Sequence, residues 1–157
     1  MIDILPETLP AITEALFVRA ANAPDAFAFA AGHERVTWRE LLDDALRVAG
    51  TLEARGLTAG AHCALVLPTG LSFVRALFGT QLLGAVPVAI NPRLPAPQIA
   101  RRVRDLACAC VIVSDESSAR TLDSGRETAV ITSADLGRGR ALSRSSLPPA
   151  DPDTLSH

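Results

Sequence analysis

The sequence predicts an α/β protein in three layers, a mostly parallel sheet with helices on both faces, accompanied by a small β-hairpin. Three observations carry this. The apolar run Cys63-Ala64-Leu65-Val66-Leu67 meets Pro68-Thr69-Gly70, a helical pattern follows and stops at Gly84, and a second apolar run, Val86-Pro87-Val88-Ala89-Ile90, meets Asn91-Pro92. Parallel neighbours need a long crossover, usually helical and right-handed, so this order reads as a βαβ unit. A further helix-and-strand pair follows, from Pro95 to Leu106 and from Cys110 to Val113. Ahead of the unit, the apolar run from Ala26 to Ala30, the turn Gly32-His33-Glu34 and the resumption at Val36 read as the hairpin.

Each element has a local reason. Thr8 caps a first helix with Pro10 near its start, Ile12, Leu16 and Ala20 recur at helical spacing, and Asn22 and Pro24 end it. Thr37-Trp38-Arg39-Glu40 is a capping box, in which hydroxyl and carboxylate each satisfy the other residue's backbone N–H. The helix it opens carries Leu41, Leu42, Ala45, Leu46, Ala49 and Leu52 on one side and stops at Gly56. The helix of the βαβ unit covers about Leu71 to Leu83. After Cys110 to Val113, a weaker helix covers about Ser117 to Leu122, and Ala129-Val130-Ile131 forms a further strand. From Gly137 onward the chain is rich in Ser, Arg and Pro, so residues 1–136 are expected to form the α/β subdomain and residues 137–157 a flexible linker or tail.

The composition bounds the function. A chain of 157 residues fits one domain or one lobe of a larger enzyme. It is 48% hydrophobic and 20% charged, against roughly 25% charged for an ordinary domain. Either an Ala-rich composition accounts for this, or part of the surface expects a partner. A net charge of −2 offers no basic field to nucleic acid or anionic lipid. The 15 cationic side chains are all arginine, which serves neither as amine nucleophile nor as titrating base. Lysine chemistry is therefore excluded within this chain, and the lack of Tyr removes phenol acid–base roles. Cys63, Cys108 and Cys110 make no disulfide framework; Cys108 and Cys110, two apart in an expected strand, read as small buried hydrophobes on one face, and no metal site is expected. The acidic start Met1-Ile2-Asp3 is unlike a secretory leader, and no apolar run reaches membrane-spanning length, so a reducing cytoplasm is the expected compartment.

Parallel sheets bind ligands beyond the carboxyl ends of their strands, which directs attention to two turns. Thr69 and Gly70 stand between strand and helix, where orphan N–H groups hold either an anion or an ordinary capped turn. Asn91 either hydrogen-bonds a ligand or fixes the turn before Pro92. Arg93 either pairs with a phosphate or carboxylate or stands solvated. These four are the candidate cofactor-binding residues; no catalytic residue is expected. Arg101, Arg102 and Arg104 sit mid-helix and read as a solvated face, and His33, His62 and His157 as bystanders. Thr69-Gly70-Leu71-Ser72-Phe73 does not have the spacing of a nucleophile elbow.

Several segments in register carry a family resemblance. Val36-Thr37-Trp38-Arg39-Glu40-Leu41 resembles the Thr-Tyr-x-Glu-Leu segment of the adenylate-forming enzymes, and Leu67-Pro68-Thr69-Gly70-Leu71-Ser72-Phe73 their Leu-Pro-Asn-x-x-Glu-Phe. Leu82 to Leu94 is similar to their Lys-Ala-Gly-Ala-x-x-Val-Pro-Leu-Asn-Pro, and the Asn91-Pro92-Arg93-Leu94 form is that of acyl-CoA synthetases rather than peptide-synthetase domains. The likeness covers about Leu9 to Val113. It implies the first subdomain of an ATP-dependent acyl-CoA synthetase-like ligase in the setting of fatty acid metabolism. In such an enzyme a carboxylate attacks the α-phosphate of ATP, releasing pyrophosphate, and a thiol such as that of coenzyme A takes the acyl group. The family's glycine-rich phosphate loop, its ribose-binding aspartate motif and its catalytic lysine have no counterpart here, and Pro148-Pro149-Ala150-Asp151-Pro152-Asp153-Thr154 resembles the linker that precedes that loop.

The expectation is thus a truncated lobe, inactive alone. ATP, Mg and CoA belong to the complete enzyme, and the partner is the ligase's remainder or a second copy. The alternative is a stand-alone non-catalytic α/β module that binds a protein such as the other half of a split synthetase. A small flavodoxin-like ligand binder, with its site at Thr69-Gly70, ranks last.

Overall fold

The computed structural model describes residues 11–122, 125 and 127–147. Helix α1 (Ala11–Asn22) leads into the hairpin β1 (Phe27–Ala31) and β2 (Glu34–Thr37), which pair antiparallel as a separate two-stranded sheet. Then come α2 (Trp38–Ala54), β3 (His62–Val66), α3 (Leu71–Leu82), β4 (Val86–Ala89), α4 (Ala96–Asp105), β5 (Cys110–Val113), α5 (Glu116–Thr121), β6 (Ala129–Thr132) and a 3₁₀ turn at Arg144–Ser146. The four strands from β3 to β6 form one parallel sheet in the order β4-β3-β5-β6. Every expected element is present, with ends shifted by a residue or so. The expected cap at Thr8 and Pro10, and the Pro-rich segment from Pro148, lie outside the described residues.

The capping box forms as read: Thr37 N–H donates to the Glu40 carboxylate at 2.8 Å, and Glu40 N–H donates to the Thr37 hydroxyl at 3.3 Å. The bond from Thr37 N–H, and next that from the Thr37 hydroxyl to the same carboxylate, hold the Glu40 carboxyl below its ordinary range. Gly84, at φ 70°, ends the α3 segment in the left-handed region that suits a residue without Cβ.

Strand order follows from crossover handedness. The chain leaves β3 toward β4, then reverses past β3 to β5 and on to β6. A right-handed crossover puts its helix on one face for one direction of travel and on the other face for the reverse. Accordingly α3 belongs to one core, with α1, α2, Cys63, Leu65, Cys110, Ile112 and Ile131. The other core holds α4, Ala64, Val66, Val111, Val113 and Leu122. Alternate residues of β3 and β5 serve opposite cores, so β5 and, past the half-buried His62, β3 are buried and read as continuous apolar runs. Pro87 sits in β4, an edge strand, opposite Cys63; a residue without N–H is tolerated there.

One expectation is corrected. Cys108 and Cys110 do not share a face: Cys110 lies in the α3-side core and Cys108 in the α4-side core. Ala107, at φ 47°, turns the chain after α4, and strand alternation starts only at Cys110. The chain after β6 runs along α2 over residues 136–142. The Thr51 hydroxyl donates to the Leu136 carbonyl at 2.8 Å and accepts from Gly139 N–H at 3.0 Å.

Helices α2 and α3 approach closely. A side chain at Gly79 would overlap Val48, and Arg75 bonds Asp44 across the pair at 2.6 Å. Gly79→Val is expected to lower stability by about 1–3 kcal/mol through overpacking, read as a lower urea midpoint at unchanged slope. Burial pushes the Cys63 thiol up to about 12, with Cys110 beside it acting in the same direction. The unfolded thiol loses its proton near pH 9 while the folded one keeps it. Stability from this group is therefore complete below pH 9 and falls as pH rises toward 12. A melting-temperature series from pH 8 to 10.5 should decline above pH 9, and Cys63→Ala should flatten the decline.

Candidate functional site

The first site region lies beyond the carboxyl ends of β3 and β4. From Val66 the chain passes through Leu67 and Pro68 to Thr69 and Gly70, and α3 begins at Leu71. Gly70 is the N-cap, with no side-chain cap bond, and its carbonyl accepts the first helical bond, from Val74 N–H at 3.1 Å. Ile90 N–H donates to the Leu65 carbonyl at 3.0 Å, which carries the pairing one residue past β4. The Asn91 side-chain oxygen then accepts from Arg93 N–H at 2.9 Å, and the Asn91 carbonyl from Leu94 N–H at 3.2 Å. This is an Asx turn around Pro92.

Thr69, Asn91 and Arg93 line one cleft of about 570 Å³, with Leu67, Phe73 and Ile90 among its apolar walls. Gly70 is not in the wall; a Cβ there would meet no atom within 4 Å, and its extended backbone suits any residue. Of the four candidates the fold therefore gathers three. Thr69, Asn91 and Arg93 are all solvent-exposed. The cleft offers a hydroxyl, an amide and one guanidinium to the polar end of a ligand, above an apolar floor. It contains no His, carboxylate or thiol to move a proton, so its chemistry is binding and orientation.

A second cavity, of about 220 Å³, lies beyond β3 and β5 and was not anticipated from sequence. Its lining includes Val66, Val113, Leu94, Asp115 and Ser118. Pro92 lines both cavities. The strand order reverses between β3 and β5, which makes this the switch point where open α/β sheets form crevices. The signal was Ser114-Asp115 at a strand end, but it locates nothing until β5 is known to neighbour β3. Asp115 caps α5, accepting from Ser118 N–H at 2.8 Å, and that bond holds its carboxyl below the ordinary range.

Of the residues set aside from sequence, His157 lies outside the described residues, and the others line neither cavity. Arg101, Arg102 and Arg104 are exposed on α4. His33 lies in the hairpin turn. His62 has a structural role: its Nδ1 stands 2.7 Å from the Leu106 carbonyl, tying the end of α4 to the start of β3. Among the described residues no group of three His, Cys, Asp or Glu is placed to hold a metal ion.

Asn91→Ala is expected to cost about 1 kcal/mol by removing the Asx bond, whereas Arg93→Ala should stay within about 0.5 kcal/mol as a surface change. Urea denaturation of the two variants side by side checks this contrast.

The family model described as "AMP-binding enzyme" matches residues 16–155. The chain is 37% identical over 106 residues to pyochelin synthetase PchE of Pseudomonas aeruginosa, covering 68% of this chain and 7% of that protein. It is 26% identical over 116 residues to 2-succinylbenzoate–CoA ligase of Bacillus cereus, covering 74% of this chain and 24% of the ligase. Among solved structures, the nonribosomal peptide synthetase FmoA3 superposes with a TM-score of 0.76 at 27% identity, over 91% of this chain and 15% of that one. The chain thus spans a small part of the length of these relatives. The chain belongs to the AMP-binding enzyme family and corresponds to an N-terminal fragment of its adenylate-forming members.

Proposed function

We propose that this chain is the amino-terminal lobe of a ligase that activates a carboxylate as its adenylate and passes the acyl group to a thiol, and that the lobe does not catalyse the reaction by itself. The observation that carries the reading is the family match across residues 16–155 in a sequence with no lysine.

The residues present do not fit Mg and ATP on their own. Charge developing on a triphosphate needs a cradle of N–H groups together with a metal ion or cations. The cleft at Thr69, Asn91 and Arg93 supplies one cation, no carboxylate and a single glycine-started turn beside it. In this reading ATP, Mg and the thiol are held chiefly by the remainder of the ligase, and the cleft forms one wall. Exposed Ile12, Val18, Phe27 and Leu106 give that remainder, or another protein, apolar surface to cover.

Two acceptors remain in view. The Asn91-Pro92-Arg93-Leu94 form supports free coenzyme A, while the likeness to FmoA3 and PchE supports the thiol of a carrier domain. The three cysteines are unpaired, which agrees with a cytoplasmic setting.

The isolated chain is expected to give no ATP–pyrophosphate exchange above blank with any member of a panel of fatty, aryl and amino acids. Exchange by the purified chain that survives further purification would overturn the proposed silence of the lobe.

A further inference from the structure

The segment that leaves the lobe is fastened at both ends, and the two fastenings differ in kind. At its start it is held by uncharged hydrogen bonds to α2. Thr51 Oγ1 bridges the Leu136 carbonyl and Gly139 N–H, and Leu142 N–H donates to the Leu46 carbonyl at 3.2 Å. Clearance matters here: a side chain at Gly50 would overlap the Arg140 carbonyl, and one at Gly139 would overlap Thr51. At its far end the segment is held by charge. Arg144 bonds the Glu14 carboxylate on α1 and lies over the Phe17 ring, 4.0 Å from its centroid. Leu147 is buried just beyond.

The two partners of that ion pair are unequal. The Glu14 side chain is 7% exposed and that of Arg144 is 48% exposed. Among the ion pairs of the described residues, no other has a partner under a tenth exposed. A carboxylate shut away from water pays a large desolvation cost unless it is paired, whereas a half-exposed guanidinium returns to water readily. Opening the pair is therefore costly on the α1 side and cheap on the strap side.

We infer that residues 136–147 are a strap closed by an Arg144 latch, so that the strap and α1 dock on α2 together and open together as one local unit, separately from the parallel sheet. The latch is set by Glu14: the buried carboxylate recruits the strap's cation, and the stack on Phe17 fixes the guanidinium plane. Opening uncovers the buried Gly50 of α2, which with the exposed Glu53 and Ala54 and residues 139–143 borders a cavity of about 640 Å³. This device rests on contacts within the lobe and stands whether or not the ligase reading holds.

Hydrogen–deuterium exchange of the chain, read by mass spectrometry on peptides from α1, the strap, β3 and β5, tests it. Arg144→Gln is expected to speed exchange in the strap and in α1 by at least about tenfold, with β3 and β5 unchanged. In Glu14→Gln the ion pair is already broken and only the stack on Phe17 remains, so adding Arg144→Gln should raise exchange far less than it does in the parent chain. Arg144→Lys keeps the charge but loses the planar stack; it should give an intermediate rate and serves if Arg144→Gln does not fold. Unchanged strap exchange in these variants, an equal rise across sheet and strap, or additive effects of the two glutamine substitutions would overturn the latch.

Discussion

The structure depends on a sheet that has no solvent face. In β3 and β5 successive side chains must satisfy two different cores, one built with α1, α2 and α3 and the other with α4 and α5. Polar residues are excluded from every position between Cys63 and Val66 and between Cys110 and Val113, and a one-residue slip would exchange the contents of the two cores. The fixed register of Ala64 beside Val88 and Leu65 beside Ala89 brings the ends of β3 and β4 level. Level ends are what allow two separate turns, at Thr69 and at Asn91, to face one cleft.

Much of this was legible in the residues. Thr37 and Glu40 declare a helix start because their side chains answer each other locally. The βαβ unit is legible because it is a run of adjacent elements with a glycine stop. What could not be read depends on non-local pairing. That β5 lies beside β3 rather than β4 is a fact about handedness over two crossovers, so the cavity at Asp115 and Ser118 was invisible from sequence. The opposite facing of Cys108 and Cys110 was misread because alternation was extended into a turn. The bonds of Leu136 and Gly139 to Thr51 are not legible because that partner is more than eighty positions away in the chain. At the candidate site, Thr69, Asn91 and Arg93 were legible as strand-end residues, while the apolar floor of Leu67 and Phe73 needed the fold.

The chemistry of the cleft is consistent with its place in the chain. Its polar groups are few and exposed, and its one cation, Arg93, offers a fixed fork of N–H donors. Such a surface orients a ligand presented to it from elsewhere. The same restraint shows in the thiols: Cys63, Cys108 and Cys110 are all buried, and burial pushes each above its ordinary range. They act as small packing residues rather than nucleophiles.

Pro87 gives the sheet a direction of growth. In β4 the N–H groups of Val86 and Ile90 point inward, to the carbonyls of Ala61 and Leu65, so by alternation residue 87 is turned to the outer margin. There the imino nitrogen has no hydrogen to offer, and a strand arriving on that side would meet a gap in the ladder. At the opposite margin, beside β6, Ala129 and Ser133 bond inward, and the outward positions, Val130 and Thr132, are ordinary amides. Any enlargement of this sheet, by further polypeptide or by an errant neighbouring molecule, is thereby channelled to the β6 flank.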